Sequence, residues 1–173
     1  MVKLLQPAPE FRARAVSGAG EVRELALSDL RGRWVVLFFY PGDFTPVCPT
    51  EIREFSQRLP EFQALAAEVM GCSVDSVESH RAWIAGGLGP VAIPLLADPD
   101  RSIARAYGAL LEPPGVAARA TFAVDPAGMV QYAAFHNLSV GRSVSETLRV
   151  LEALRSGERT PAEWRPGQPT LGR

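Results

Sequence analysis

A run of seven apolar or aromatic residues, from Trp34 to Tyr40, constrains the fold of this chain more than any other feature. Such a run without alternating polar residues is typical of a strand that is buried on both faces. After a short loop come Cys48 and Pro49, and then Ile52, Phe55 and Leu59 repeat at helical spacing. Proline is favoured in the first turn of a helix, because its missing N–H would have no partner there. The sequence therefore predicts a buried strand that leads through a loop into a helix beginning at Cys48.

The rest of the chain alternates between strand and helix patterns. Further strands are predicted near 68–74, 93–97, 119–124 and 129–136, with a weaker pair before Asp29, and helices near 48–66 (broken at Pro60), 77–86, 100–107 and 143–155. Asp125 to Gly128 forms a turn between the last two strands, which predicts an antiparallel hairpin. Strand–helix units followed by a hairpin and a closing helix predict an α/β, thioredoxin-like fold, with a central mixed β-sheet flanked by helices. We expect this domain to cover residues 1–157, with residues 158–173 as an extended C-terminal tail.

The composition argues against several classes of partner. With 18 Lys and Arg against 19 Asp and Glu, the chain has no excess of positive charge for nucleic acid or an anionic membrane. No apolar stretch approaches the roughly 20 residues needed to cross a bilayer, and the N-terminus does not resemble a signal peptide. The two cysteines and two histidines have no metal-binding spacing, so neither a metal nor another cofactor is predicted. We therefore expect a cytoplasmic protein.

Cys48 has the local setting of a reactive thiol. At a helix N-terminus it faces unpaired N–H groups and the positive end of the helix dipole, which favour thiolate over thiol. Thr45 can direct its hydroxyl into the same space. An isolated cysteine can instead be a small buried apolar residue. The flanking residues favour a nucleophile.

Those flanking residues are similar to a known active-site motif. Pro41, Thr45 and Cys48, in the order PxxxTxxC, resemble the motif of the peroxiredoxins, which are thiol peroxidases that reduce hydroperoxides. The continuation CPTE resembles the alkyl hydroperoxide reductase C and thiol-specific antioxidant type. Four other segments are similar to the family: PAPEF at 7–11, SVDS at 73–76, VGRS at 140–143 and TPAEWRPG at 160–167. The resemblance covers almost the whole chain, and it implies a thioredoxin-like fold and peroxidase activity without a metal, haem, flavin or nicotinamide cofactor.

The resemblance also implies roles for individual residues. Cys48 would attack hydrogen peroxide or an organic hydroperoxide and become a sulfenic acid. Arg119 matches the family's active-site arginine and would hold the thiolate and the peroxide, oriented by Glu51. An arginine that enters an apolar strand needs a negative partner, so an ion pair with Glu51 is the simpler interpretation, and both can be true. Thr45 would hydrogen-bond the thiolate and the peroxide, and Pro41 would shield the thiolate from water or serve only as a turn residue.

The sequence leaves open how the sulfenic acid is reduced. Thr160 stands where two-cysteine members of the family carry the resolving cysteine, and threonine cannot form a disulfide. We therefore expect a one-cysteine cycle, with thioredoxin, glutaredoxin or a low-molecular-weight thiol as reductant. Cys72 lies in a predicted strand with Met70 and Val74 on its own face, which favours core packing. A Cys48–Cys72 disulfide is the alternative, and it requires Cα atoms within about 7 Å.

Three other features receive no catalytic role. Residues 86–89 read GGLG and resemble a loop of overoxidation-prone two-cysteine peroxiredoxins, although a plain glycine-rich connection explains them equally well. His80 and His136 are assigned no role; His136 either lines a subunit contact or, more simply, is only accommodated. The family commonly forms dimers and rings of dimers, and residues 129–138 are a candidate edge strand. A homodimer or ring of dimers that acts as a chaperone-like holdase or a redox relay is therefore the second functional hypothesis.

Overall fold

A seven-stranded mixed sheet forms the centre of the first of two compact units, which ends at Arg142. The computed structural model describes residues 2–173. The strands are β1 (Arg12–Gly18), β2 (Glu21–Ala26), β3 (Trp34–Phe39), β4 (Ala67–Ser73), β5 (Val91–Ala97), β6 (Leu110–Leu111), β7 (Val116–Ala117), β8 (Arg119–Val124) and β9 (Val130–His136). The sheet order is β2-β1-β5-β4-β3-β8-β9, and β6 and β7 form a separate hairpin. Strands β3, β4 and β5 are mutually parallel, while the other pairs are antiparallel. The predicted mixed sheet and the predicted β8–β9 hairpin are thus confirmed.

The helices lie at the predicted positions; the first four segments are shorter than predicted, and the last helix is shifted by one residue. They are α1 (Cys48–Gln57), α2 (Leu59–Ala64), α3 (Val77–Trp83), α4 (Ser102–Ala106) and α5 (Val144–Ser156). The predicted break in the helix 48–66 falls at Arg58, and Pro60 lies in the first turn of α2, where a missing N–H costs nothing. Helix α3 ends at Trp83, and a wide helical turn over Ile84–Leu88 replaces the last part of the predicted helix 77–86.

Strand β3 is the buried strand that the apolar run predicted, with β4 on one side and β8 on the other. Its residues from Val35 to Phe39 are at most 1% exposed. Phe38 stacks on Phe55 of α1, with ring centroids 4.4 Å apart, whereas Phe39 lies against Phe122 on the opposite face. Gly71 of β4 makes room for this packing, since a Cβ there would lie 3.0 Å from the Phe38 ring. The packing fixes α1 against the carboxyl end of β3.

The second unit, Ser143–Arg173, contains α5 and the C-terminal segment. The Ser143 side chain caps α5 by accepting the Glu146 N–H, and Gly157 ends the helix with a φ of 67°, a conformation that favours glycine. Residues 158–173, predicted to be extended, fold back on themselves, because the N–H of Arg159 donates to Gly172 and that of Leu171 donates to Arg159. Three prolines and two glycines favour such turns. The domain boundary at residue 157 stays a prediction.

Within residues 2–173, no helix combines the length and the apolar character that a membrane crossing requires.

Candidate active site

Cys48 is the first residue of α1, and it is completely buried. No side chain caps this helix N-terminus, and Pro49 occupies the first turn, as the sequence predicted. The Nη1 group of Arg119 donates to the Cys48 sulfur over 3.3 Å. The strand–loop–helix unit therefore presents the sulfur to a guanidinium that arrives from the start of β8.

Arg119 is held from both sides. Its Nη1 also donates to Glu51 Oε2 at 2.7 Å, and its Nε donates to the carbonyl of Leu138 at 2.7 Å. The side chains of Arg119 and Glu51 are only 3% and 2% exposed. The ion pair between Arg119 and Glu51 that the sequence predicted is confirmed, and it leaves the guanidinium little freedom to rotate away from Cys48.

A second arginine, Arg142, completes the cluster and was not predicted. Its backbone N–H and its Nε each donate to Glu51 Oε1 at 2.9 Å, and its Nη2 donates to Glu51 Oε2 at 3.1 Å. It also donates to the carbonyls of Phe39 and Ala120 and to the hydroxyl of Thr121, and its guanidinium lies 5.0 Å from the centre of the Phe38 ring. Burial lowers the pKa of Arg142, while the hydrogen bonds and charge of Glu51 act in the opposite direction. The only sequence signal for Arg142 was the string VGRS, in which no pattern singles out the arginine.

The arginine and glutamate side chains of this cluster have a net positive charge unless Cys48 is a thiolate. Arg119 and Arg142 carry two positive charges, and Glu51 carries one negative charge, all in a site that excludes water. A thiolate at Cys48 makes the set neutral. Because an unbalanced buried charge is costly, the cluster favours a negative charge at the sulfur or on a group bound beside it.

Two predicted residues, Pro41 and Thr45, lie in the loop between β3 and α1, and both are half-buried. The Thr45 hydroxyl donates to the carbonyl of Gly42 at 2.9 Å. Its oxygen keeps lone pairs that can accept, but its proton is directed at Gly42 rather than at the sulfur. The predicted bond from Thr45 to the thiolate or the peroxide therefore requires the hydroxyl to turn, and the role of Pro41 as a shield stays a prediction.

A buried hydrogen-bonded cluster around Asp43 fixes this loop, and it includes His80, a residue to which the sequence assigned no role. His80 is completely buried, and its Nδ1 lies 2.8 Å from Asp43 Oδ2, while its Nε2 lies 3.2 Å from the carbonyl of Leu96. A carboxylate and a carbonyl oxygen, both hydrogen-bond acceptors, thus lie within reach of the two ring nitrogens. Ser79 and Tyr40 also donate to the Asp43 carboxylate. The sequence signal was the spacing of Val77 and His80, which places the histidine on the buried face of α3.

Cys72 lies on the face of the sheet opposite to the one that packs against α1. It pairs with Phe39 in the β3–β4 register and packs in the apolar cluster that includes Met70 and Leu96. Burial, and secondly the negative charge of Asp98, raise the pKa of the Cys72 thiol. Both cysteines are free thiols in this structure. These surroundings suit the predicted core role and disfavour a thiolate at Cys72.

Among the described residues, no group of three or more His, Cys, Asp and Glu side chains is placed to hold a metal ion. The site consists of one thiol, two guanidiniums, one carboxylate and one hydroxyl. Such a set can bind and polarise a small polar molecule next to a nucleophilic sulfur.

The chain is similar to a known protein family, to individual relatives and to solved structures. The model of the AhpC/TSA family matches residues 4–133. A thioredoxin peroxidase of Trypanosoma brucei rhodesiense is 47% identical over 178 residues, covering 98% of this chain and 89% of the relative. Peroxiredoxin-2 of Bos taurus is 50% identical over 175 residues, covering 96% and 87%. The crystal structure of reduced 2-Cys peroxiredoxin from Plasmodium vivax matches with a TM-score of 0.94 at 37% identity, covering 98% of this chain and 93% of that one.

Proposed function

Because the chain belongs to the AhpC/TSA family of peroxiredoxins, which are thiol peroxidases, we propose that it reduces hydroperoxides at Cys48 by a one-cysteine cycle. The observation that carries this proposal is the 3.3 Å contact between Arg119 Nη1 and the Cys48 sulfur, in a buried cluster with an excess positive charge. Hydrogen peroxide and small organic hydroperoxides are the proposed substrates.

In the oxidation step, the Cys48 thiolate attacks one oxygen of ROOH and the O–O bond breaks. The sulfur becomes a sulfenic acid, and the departing RO⁻ takes a proton and leaves as alcohol or water. Arg119 stabilises the charge that moves from sulfur to the leaving oxygen, and Glu51 and Arg142 keep Arg119 in place. Thr45 turns its hydroxyl from Gly42 towards the peroxide, and Pro41 limits access of water.

In the reduction step, an external thiol RSH attacks the Cys48 sulfenic acid, which gives a mixed disulfide and water. A second thiol then releases the Cys48 thiol and a disulfide RSSR. Thioredoxin is the first reductant to test, since the Trypanosoma relative is called a thioredoxin peroxidase, and glutaredoxin and low-molecular-weight thiols come next. A thiol cycle of this kind requires a reducing compartment, which supports a cytoplasmic location.

The alternative is a two-cysteine cycle in which Cys48 and Cys72 form a disulfide, and the Plasmodium vivax neighbour is named a 2-Cys enzyme. Against it stand the burial of Cys72 and the raised pKa of its thiol, because the attacking species must be a thiolate. Threonine at position 160 likewise provides no resolving thiol in the C-terminal segment.

The test is intact mass under denaturing conditions, after one equivalent of hydrogen peroxide and alkylation of free thiols. We expect the wild-type chain to gain one oxygen and to keep one alkylated thiol. A Cys72→Ala variant should gain the same oxygen, and a Cys48→Ser variant should gain none. Loss of two hydrogens with no thiol left to alkylate would replace the one-cysteine cycle by the disulfide. An unchanged wild-type mass would refute oxidation at Cys48 altogether.

We also propose that the chain forms a homodimer or ring of dimers through β9. This strand lies at the edge of the sheet, and Phe135 on it is 54% exposed. Residues 5 and 6 pair with this edge at Val130, and a sheet edge beside an exposed aromatic side chain favours pairing with a second copy. A holdase role of the assembly that is independent of the peroxidase should survive in Cys48→Ser protein, which an aggregation assay with a denatured client protein measures, whereas a redox-relay role requires the Cys48 thiol and should be lost.

A further inference from the structure

Arg53 links the reactive helix to a distant loop. It lies on the exposed side of α1, five residues after Cys48 in the chain. Its Nη2 donates to the carbonyl of Gly87 at 2.7 Å, and its Nε donates to the carbonyl of Leu88 at 3.2 Å. Leu88 is 4% exposed, so its buried side chain anchors the loop that accepts these bonds. The Arg53 guanidinium therefore links α1 to two backbone carbonyls, 34 and 35 residues further along the chain.

Because Cys48 is buried, the link between Arg53 and the loop matters for the reduction step. The sulfur is 0% exposed, and a hydroperoxide needs to bring only two small oxygen atoms to it. A thiol reductant has to place its own sulfur in line with the S–O bond of the sulfenic acid, behind the Cys48 sulfur. The first turn of α1 must therefore move aside for reduction, although it stays in place for oxidation.

Two sets of polar contacts hold α1. The contacts of Glu51 with Arg119 and Arg142 belong to the chemical step, and they cannot be removed without damage to the site. The contacts of Arg53 with the loop touch none of the reacting groups. Arg53 can therefore change how readily α1 opens without changing how Cys48 meets the peroxide.

We propose that Arg53 is a positioning residue for the reduction step, which holds α1 closed and thereby limits how fast a thiol reaches the Cys48 sulfenic acid. This rests on the proposed function, because the step requires that sulfenic acid. The step itself converts Cys48–SOH and RSH into Cys48–S–SR and water. The acceptors are backbone carbonyls, so no other side chain has to change when Arg53 is replaced.

The test compares Arg53→Met, which keeps much of the length of the side chain but has no donor, with Arg53→Lys, which keeps one charged donor. Arg33→Met is the matched control, since Arg33 is also an exposed arginine, and it pairs with Glu68, outside α1. For each protein, stopped flow measures the reaction of Cys48 with hydrogen peroxide, and separately the reaction of the sulfenic acid with 2-nitro-5-thiobenzoate. Amide hydrogen exchange of the peptide that covers α1 reports opening without any peroxide.

We expect Arg53→Met to raise the rate of thiol attack and the exchange in α1 by about three- to tenfold, as the loss of one or two exposed hydrogen bonds predicts. Arg53→Lys should be intermediate, Arg33→Met should equal wild type, and the peroxide rate should change by less than about twofold in all of them. Unchanged exchange in α1 would refute the proposal, and so would equal changes in both half-reactions. Failure of wild type to form a sulfenic acid would refute the peroxidase instead, while the exchange data would still decide whether Arg53 holds α1 closed.

Discussion

The replacement Glu51→Gln tests the charge balance at the centre of the site. Glutamine keeps the shape of the side chain and removes its negative charge. Glu51 accepts from Arg119 at 2.7 Å and from Arg142 at 2.9 and 3.1 Å, and all three side chains are at most 3% exposed. An amide can replace one acceptor oxygen, but its NH₂ group then faces guanidinium N–H groups. The variant therefore leaves two buried positive charges with no carboxylate between them.

The expected cost follows from this burial. Removing one partner of a buried ion pair costs about 3–5 kcal/mol, because the remaining charge stays without compensation. For a chain of 173 residues, this corresponds to a fall in Tm of roughly 10 °C. Arg119 also loses the contact that aims it at Cys48, so the rate of peroxide reaction should fall about a hundredfold, as expected for a misplaced group.

Urea denaturation and stopped-flow oxidation measure these two effects. Glu68→Gln is the control, since Glu68 pairs with Arg33 at the surface, where side chains 35% and 61% exposed predict a loss below about 1 kcal/mol. In a double-mutant cycle, Arg142→Met should couple to Glu51→Gln by about 1.5 kcal/mol or more. A Glu51→Gln protein as stable as Glu68→Gln protein would refute the argument from buried charge.

Three further predictions concern residues outside the Arg–Glu cluster. Cys72→Ala should lower the free energy of unfolding by about 1–2 kcal/mol and leave the peroxide rate of Cys48 unchanged, whereas a slower rate would contradict a purely structural role. His80→Leu removes a hydrogen-bond partner of the buried Asp43 carboxylate, so we expect a loss of about 2–3 kcal/mol in urea denaturation; a loss below about 1 kcal/mol would contradict a stabilising role of this contact. Burial raises the pKa of Tyr107, so the folded state keeps a proton that the unfolded chain releases near pH 10, and stability falls as the pH rises through that value. Tyr107→Phe should flatten this alkaline fall by up to about 1.4 kcal/mol per pH unit, and equal slopes in the two proteins would refute the assignment.

Local patterns predicted the parts of the fold that depend on neighbouring residues. The apolar run from Trp34, the proline after Cys48 and the turn at Asp125 gave β3, the start of α1 and the β8–β9 hairpin. Each of these features depends on residues that are close together in the sequence, where hydrophobic periodicity and the preferences of proline act directly. The family resemblance added Glu51 and Arg119, which the structure brings into contact.

The sequence could not predict contacts that depend on how distant segments meet. Arg142 stands in a short connection with no periodicity, and its role follows only from its position above Phe38 beside Glu51. The partners of His80 lie 16 and 37 residues away, in β5 and in the loop before α1. The Thr45 hydroxyl was expected at the sulfur, but the nearby Gly42 carbonyl is the acceptor that its geometry satisfies. Hydrogen-bond geometry of this kind is decided by tertiary packing rather than by sequence spacing.

The parts of this site come from segments that are made at very different times during synthesis. Cys48 contacts a residue 71 positions later, and Glu51 contacts one 91 positions later. A nascent chain that has exposed α1 but not yet β8 carries an ordinary cysteine, without its guanidinium neighbours. Because domains fold as units once enough of the chain has emerged, the Arg–Glu cluster around Cys48 forms only after Arg142 has left the ribosome. The proposed function then implies that an unfinished chain reacts more slowly with peroxide than the folded protein does.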